Sequence, residues 1–321
     1  MHLIVTENTD VYFNLAAEDY ILHHWDADVL MFWRSKKAVV CGKHQNLCGE
    51  LNYSWCRKHG IDIARRLTGG GTVFHDLGNI NFTFIQNIPE GLDKAVNYRR
   101  FLDPMRDVLQ KIGVETSYSS RNDLLVKDKK ISGNAEHVLQ RRSRVLHHGT
   151  LLFRSELGDL GEALHPVGKY ETKAVQSVRS EVTNISDHFL QEENSDAFMQ
   201  MVIRGFENIK HTNRYVFREE DLQGIDNVKH AKYSKESWIL GYSPGYTVQK
   251  VWNFHENIYR LEMKIDHGVV LQMQIISQNK NEFERFCNAM VGKEWIENTI
   301  REIWRENSEI EIRDEDIWNL F

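Results

Sequence analysis

The chain has 321 residues, room for one large unit plus a smaller one and for a core that needs no disulfides. Hydrophobic residues make up 41% and charged residues 27%, the ordinary balance of a globular protein. The formal net charge of -6 argues against a general nucleic-acid or membrane-surface binder, because either polyanion would repel the molecule as a whole. A local basic patch stays open.

The segment Met1-His2-Leu3-Ile4-Val5 has no basic region followed by an apolar run, and no stretch of about 18 apolar residues occurs. No signal peptide, no membrane span and a cytoplasmic location are therefore expected. Helices and strands alternate through the first hundred residues. Asn14 to Trp25 carries apolar residues at helical spacing. Val29–Trp33 and Ala38–Cys41 are short apolar runs that predict strands, split by the polar turn Arg34-Ser35-Lys36-Lys37. Trp55 to His59 predicts a short helix stopped by Gly60. Ile61 to Arg66 begins as a strand and runs into Gly69-Gly70-Gly71, where regular structure should break. Ile80 to Ile85 alternates, which predicts a half-buried strand. Tyr98 to Ile112 reads as a helix whose regular part starts near Asp103, since Pro104 is tolerated only in a first turn.

Leu124–Val126 and Lys130–Ser132 predict two strands around Lys127-Asp128-Lys129, and Gly149–Phe153 predicts another. Residues 185–235 are polar, with helical pieces that resist placement. Beyond a basic stretch at Lys229–Lys235, the last 85 or so residues read as a separate unit. Ile258–Ile265 and Val269–Ile276 flank the hairpin signal Asp266-His267-Gly268. Helices Glu282–Val291 and Glu294–Glu306 should follow, with Phe283, Phe286, Trp295, Ile296, Ile300 and Trp304 as core.

The densest chemical signal is Arg65-Arg66-Leu67-Thr68-Gly69-Gly70-Gly71-Thr72-Val73-Phe74-His75-Asp76. Three glycines remove every Cβ, so a ligand could approach the backbone N–H groups, and the preceding guanidinium offers a fork suited to phosphate. No Gly-Lys-Ser/Thr follows, so this is not a P-loop. A glycine-rich turn with solvated arginines fits the same residues.

In Lys130-Ile131-Ser132-Gly133-Asn134-Ala135, a lysine precedes small residues that would not obstruct a ligand, and its ammonium could meet a carboxylate or phosphate. A surface lysine beside Lys127 and Lys129 is the simpler reading. In His147-His148-Gly149-Thr150, a histidine could act as a base or donor, or be structural. Asp123 could bind Mg²⁺ with phosphates as the other ligands, or cap a turn. Cys41, Cys48, Cys56 and Cys287 form no C-x-x-C pair, which suits a reducing compartment. Cys41, His44 and Cys48 lack a fourth ligand at zinc-site spacing and read better as buried thiols.

Taken together and in order, these segments resemble the lipoate-protein ligase A family. The resemblance runs through Asn14-Leu15-Ala16-Ala17-Glu18, Phe32-Trp33-Arg34 and Gly42-Lys43-His44-Gln45-Asn46 and is strongest at Arg65 to Asn81. It resumes at Lys130 with Gly133-Asn134-Ala135, at His147 to Leu152, at Ser177 to Asn184, and at Gly241-Tyr242-Ser243-Pro244 with Tyr246. It implies an α+β fold: a biotin/lipoate-ligase-like catalytic domain over residues 1–232, with a mixed sheet and flanking helices, and a small α+β accessory domain over 236–321. It implies lipoyl-adenylate formation from lipoate and ATP with Mg²⁺. Transfer would follow to a lysine on a lipoyl domain, such as those of 2-oxoacid dehydrogenase E2 subunits, or on glycine-cleavage H protein.

By the same resemblance Arg66 would bind nucleotide, Gly71, Thr72, Val73 and Phe74 would lie along it, and Lys130 would contact both lipoyl carbonyl and phosphate. Asp123, in Arg121-Asn122-Asp123, would be a metal ligand. Asn134 and Thr72 depart from the family's frequent serine and alanine, both small changes. An octanoyl or lipoyl transferase of this fold would need a nucleophilic cysteine near the lysine motif, and none lies between Cys56 and Cys287. A non-catalytic lipoate-binding module would not need the intact Arg66, glycine loop and Lys130, and a biotin ligase fits the motif order less well. Arg141, Arg142 and Arg144 could meet an acidic acceptor, or be a solvated loop.

Overall fold

The alternating run around Ile80 becomes the strand Asn79–Asn87, third in a six-stranded mixed sheet. The computed structural model describes residues 1–89, 97–121, 123–191, 193–208, 212–255, 257–277 and 283–321. In spatial order the sheet runs Asn134–Leu139, Arg144–Leu152, Asn79–Asn87, Val29–Trp33, His2–Val5 and Asn213–Arg214. Pairing is antiparallel as far as Val29–Trp33 and parallel beyond it.

The central strand is buried on both faces through Ile85, not half-buried. Ile80, Phe82 and Phe84 pack with Phe101, Leu102, Val202 and Phe206 from the helices Arg99–Lys111 and Ser195–Glu207. Asn81 and Thr83 point to the opposite face, where helix Val11–His24 lies. The polar half of the alternation therefore faces a covered cavity rather than bulk water.

That helix starts three residues before Asn14, because Asp10 caps it by accepting from the Tyr12 N–H at 2.8 Å. Ala16 and Ala17 are fully buried and let it lie close to the sheet. The helix Arg99–Lys111 does not wait for Asp103: the Phe101 and Leu102 N–H groups both donate to the Tyr98 carbonyl. Pro104 sits inside it, where its ring nitrogen cannot donate to the Arg100 carbonyl. The strand Arg144–Leu152 begins five residues before the predicted Gly149. Arg144 is fully buried there, its guanidinium donating to the Asp26 and Ala27 carbonyls and to Asn87 Oδ1.

Two small three-stranded sheets carry the motifs. One pairs Asp62–Arg65, Ala38–Cys41 and Val73–His75; the other pairs Ser117–Tyr118, Leu124–Val126 and Lys129–Ser132. In the second, Lys127 and Asp128 turn the chain with φ of 46° and 64°.

A four-stranded sheet joins one mid-chain strand to three C-terminal ones, in the order Lys169–Thr172, Tyr246–Phe254, Asn257–Asp266, Val269–Ile276. His267 and Gly268, both at positive φ, form the predicted hairpin turn. Tyr246–Phe254 buries every second residue, a strand the sequence reading does not assign. Helices Glu284–Met290 and Glu297–Asn307 follow, and Phe283, Phe286, Trp295, Ile300 and Trp304 are buried. The predicted helix start at Glu282 lies outside the described residues. This core is continuous with the first part of the chain, since Val39, Cys41, Leu47, Cys48 and Phe74 pack in one cluster with Tyr246, Val248 and Trp252. All four cysteines are buried free thiols. No helix among the described residues is long and apolar enough to cross a membrane.

Candidate active site

Two cavities of about 520 and 330 Å³ adjoin on the polar face of the central sheet. Both are lined by Thr72, Val73, Lys130, Gly133 and Thr150, and both lie against the segment Val175–Val178. Asn46, Glu50, Phe74 and Tyr170 line the larger one alone; Trp33, Arg66, His75, Asn81, Asp123 and His148 line the smaller one alone.

The glycine loop is held from within by Arg66. Its Nε donates to Thr68 Oγ1 at 2.9 Å, Nη1 to the Val40 carbonyl at 3.0 Å, and Nη2 to the Gly69 and Gly71 carbonyls at 2.6 and 2.7 Å. Burial lowers its pKa to about 10, so it is still cationic at neutral pH. The fork that the sequence reads as aimed at phosphate is thus largely spent on the loop's own backbone, though it still lines the smaller cavity. Arg65, indistinguishable from it in the sequence, has a separate task. It donates to the carbonyls of Gly42, Gln45 and Ile239 and to Ser243 Oγ, tying the glycine-loop sheet to the Gly241–Pro244 motif. Gly70 has φ of 87°, and a Cβ on Gly42 would come within 2.0 Å of the Gly70 carbonyl oxygen. Only glycine lets these two turns touch.

Lys130 stands where the cavities meet. Its Nζ is 2.9 Å from Asp123 Oδ1 on the neighbouring strand's approach. Its backbone is clamped on the other side, the N–H donating to Glu181 O at 2.9 Å and the carbonyl accepting from Thr183 N at 3.0 Å. Gly133 keeps the space beside the ammonium open, and its N–H donates to Thr150 Oγ1 at 3.0 Å. Lys130 is therefore a partly buried cation aimed into a cleft, not a solvated turn lysine. Asp123 also accepts from Ser119 Oγ at 3.3 Å, and Asn122 of the same motif lies outside the described residues. No cluster of three or more acidic, histidine or cysteine side chains suited to a metal occurs among the described residues. A single carboxylate at a cavity fits an ion that takes its other ligands from phosphates and water, as Mg²⁺ does.

Of the histidine pair, only the second faces the site, as strand alternation requires. His147 is fully buried, stacked on Phe101 at 4.8 Å with Nδ1 3.2 Å from Glu136. His148 Nδ1 lies 2.9 Å from Glu18 Oε2 and its Nε2 2.7 Å from Thr68 Oγ1. Glu18 also accepts from Thr83 Oγ1 at 2.6 Å and Trp33 Nε1 at 3.3 Å. Helix, sheet and glycine loop are joined through this buried carboxylate.

The sequence reading gives no role to His75, Asn81 or Ser177. The first two were legible as every-second positions on strands bordering the glycine loop. Ser177 was not, since its role depends on contacts more than a hundred residues away: its Oγ accepts from Thr72 N at 2.8 Å and Gln45 Nε2 at 3.0 Å. The Ser177 N–H donates to Glu50, whose pKa burial raises.

The three-arginine acceptor surface does not form. Arg144 is sealed in the sheet, and Arg142 donates to the His23 carbonyl and pairs with Asp26 at the end of the first helix. Only Arg141 is exposed.

The family described as the lipoyl protein ligase A/B catalytic domain matches residues 10–207. The chain is 30% identical to lipoate-protein ligase LplJ of Bacillus subtilis, over 90% of this chain and 89% of that protein. It is 30% identical to lipoate–protein ligase 1 of Staphylococcus aureus, covering 88% and 87%. Among solved structures, lipoate-protein ligase A bound with ATP superposes with a TM-score of 0.64 at 26% identity, over 75% of this chain and 98% of that one. A bi-partite lipoate protein ligase from Thermoplasma acidophilum, described with its E2 lipoyl domain, gives 0.63 at 25% identity, over 75% and 96%.

Proposed function

The chain belongs to the lipoyl protein ligase A/B catalytic-domain family, and from that footing we propose how its site works. It is an ATP-dependent lipoate-protein ligase. In the first step a lipoate carboxylate oxygen attacks the α-phosphorus of ATP, the bond to pyrophosphate breaks, and lipoyl-AMP forms. In the second, the ε-amine of an acceptor lysine attacks the lipoyl carbonyl carbon, AMP leaves with the bonding pair, and the amine proton passes to solvent.

The larger cavity takes the nucleotide and the smaller one the acyl chain. The observation that carries this is Lys130 at their junction, paired with Asp123 and lining both. An acyl phosphate anhydride must span that junction, and a fixed cation there meets the carboxylate, the α-phosphate and the oxyanion in turn. Thr72, Val73 and Phe74 edge the nucleotide side, with Gly71 leading into it. Arg66 acts chiefly by holding the Gly69 and Gly71 carbonyls inward, which fixes the path of the glycine loop beside the nucleotide. Asp123 lines the smaller cavity but sits beside Lys130 where the two meet, and from there it would hold Mg²⁺, which would neutralise the pyrophosphate as it leaves. The acceptors are lipoyl domains of 2-oxoacid dehydrogenase E2 subunits and glycine-cleavage H protein, and residues 236–321 form the accessory unit beside a catalytic unit of residues 1–232.

A thioester route lacks its nucleophile. Cys41 and Cys48 are buried, and burial pushes the Cys48 and Cys56 thiols up to about 11 and about 12.

The test is transfer of lipoate to a purified apo-lipoyl domain, read by intact mass. ATP-dependent transfer by the native protein that disappears in Lys130→Ala is expected. Transfer without ATP from an acyl-carrier donor would overturn the ligase reading.

A further inference from the structure

The basic stretch Lys229–Lys235, which the sequence offers only as a boundary, folds back against the first helix. Lys232 Nζ lies 2.7 Å from Asp19 Oδ2, and the Tyr233 hydroxyl donates to the same oxygen at 2.9 Å. His23 Nδ1 is 2.6 Å from Asp19 Oδ1. The carboxylate is buried, while Lys232 and His23 above it are partly exposed, so the group turns a cationic side outward. Lys232 Nζ also stands over the Trp238 ring at 4.3 Å, and the Arg65 carbonyl holds Trp238 by accepting from its Nε1 at 2.9 Å. Trp238 packs on Tyr242 at 4.8 Å, and Lys43 Nζ stands 5.8 Å from the Tyr242 ring. Tyr242 is 41% exposed.

This surface borders the reaction. Strand Asn134–Leu139 is the outer edge of the six-stranded sheet, and its Ala135 lines the smaller cavity. His137, two residues or about 7 Å further along, takes the same face. Burial lowers the His137 pKa, and the charges of Lys43, His23 and Lys232 add to that against Asp19, so these groups surround one spot. The charge of Arg141 in turn bears on His23, which carries the basic surface to that exposed arginine. We propose that this face docks the acceptor domain, and that the acceptor meets it with carboxylates flanking its target lysine. The acceptor has to bring a lysine to the carbonyl beside Lys130, so its body rests on surface continuous with the cavities. Aromatic side chains with charged groups around them are the make-up of a specific interface. A basic patch steers an acidic partner in and turns a basic one away. The net charge of -6 argues against a nucleic acid as the occupant. The proposal rests on the ligase reading and goes beyond it by naming where the second substrate binds and what its surface carries.

The experiment gives the full-length protein lipoate, ATP and Mg²⁺ and reads the two steps apart. Pyrophosphate release without acceptor reports adenylate formation, and intact mass at a series of concentrations of a purified apo-lipoyl domain reports transfer. Lys43→Glu should raise the acceptor KM about three- to tenfold at low salt, an effect that shrinks as salt is added. Tyr242→Ala should raise it by a similar factor with less dependence on salt. Pyrophosphate release should stay at the native rate in both, which also shows that the variants fold. If Lys43→Glu does not fold, Lys43→Ala reads the same KM. Replacing a carboxylate near the acceptor's target lysine by lysine should weaken its use by the native protein and not by Lys43→Glu. A native acceptor KM in both variants overturns the inference, and so does a loss of pyrophosphate release in a folded variant, which would place its residue in the adenylation site. No pyrophosphate release by the native protein would instead sink the ligase reading itself.

Discussion

Ser177 Oγ accepts a hydrogen bond from the Thr72 backbone N–H at 2.8 Å, fastening the segment over both cavities to the end of the glycine loop. Gln45 completes the latch by donating to the same oxygen and accepting from the Thr72 hydroxyl at 2.9 Å. Ser177→Ala would leave two inward-facing donors unpaired, a penalty of about 1–3 kcal/mol when such groups stay buried. The adenylate is an activated ester that must be kept from water until the acceptor arrives. We therefore expect the variant to release AMP several-fold faster from lipoate and ATP when no acceptor is present, with the transfer step itself little changed. An unchanged AMP release rate would mean that the contacts of residues 181–183 with Lys130 hold the cover by themselves.

The Lys130–Asp123 pair separates two roles that activity alone would blur. In the proposed mechanism Lys130→Ala removes the charge at the reacting carbonyl, and it should reduce adenylate formation by about 100-fold or more. Asp123→Asn keeps the shape and removes the anion. It should raise the Mg²⁺ concentration for half-maximal rate while the KM for lipoate stays near its native value. A Mg²⁺ titration on both variants checks this. A shift in lipoate KM without one in Mg²⁺ would assign Asp123 to orienting the lysine only.

Much of the framework was legible because burial repeats at short range. Val29–Trp33 and Ala38–Cys41 fall where apolar runs place them, and the hairpin around His267-Gly268 follows from turn chemistry. What escaped was set by partners far along the chain. Arg144 looks like a surface charge until Asp26, Ala27 and Asn87 close around it. Arg65 and Arg66 are adjacent and alike, yet one ties down the Gly241–Pro244 motif and the other the glycine loop. Asn81 looked like the solvent side of a strand because alternation reports two faces but not what covers each.

Of the three arginines expected to meet an acidic acceptor, only Arg141 is exposed. Arg141→Glu should raise the KM for an acidic acceptor domain about two- to fivefold at low salt, an effect that shrinks as salt is added, and leave adenylate formation alone. Arg144→Glu is a different experiment. It buries a carboxylate against two carbonyl oxygens, so we expect loss of folding rather than a kinetic defect, seen as a collapsed thermal transition. Equal acceptor kinetics in native protein and Arg141→Glu would remove this region from the docking surface.

His75 makes stability depend on pH in a definite direction. Burial, with Arg66 and then His148 adding to it, lowers its pKa to about 3. In the unfolded chain it titrates near 6.5. Below about pH 6.5 the unfolded state takes up a proton that the native state refuses until about pH 3, so stability falls as the pH drops through that window and is unaffected above it. The slope from this one group approaches about 1.4 kcal/mol per pH unit. His147 is lowered by burial too and acts with the same sign, so the useful quantity is a difference between proteins. Urea unfolding at about pH 7.5 and about pH 5 should show a smaller loss on acidification for His75→Gln than for the native chain. Asp19, held low by His23 and Lys232 against its burial, loses its contribution only below the ordinary carboxylate range and does not confuse the comparison. Parallel losses in the two proteins would mean that His75 can take up its proton without unfolding, and that the end of the acyl cavity is wetter than its burial indicates.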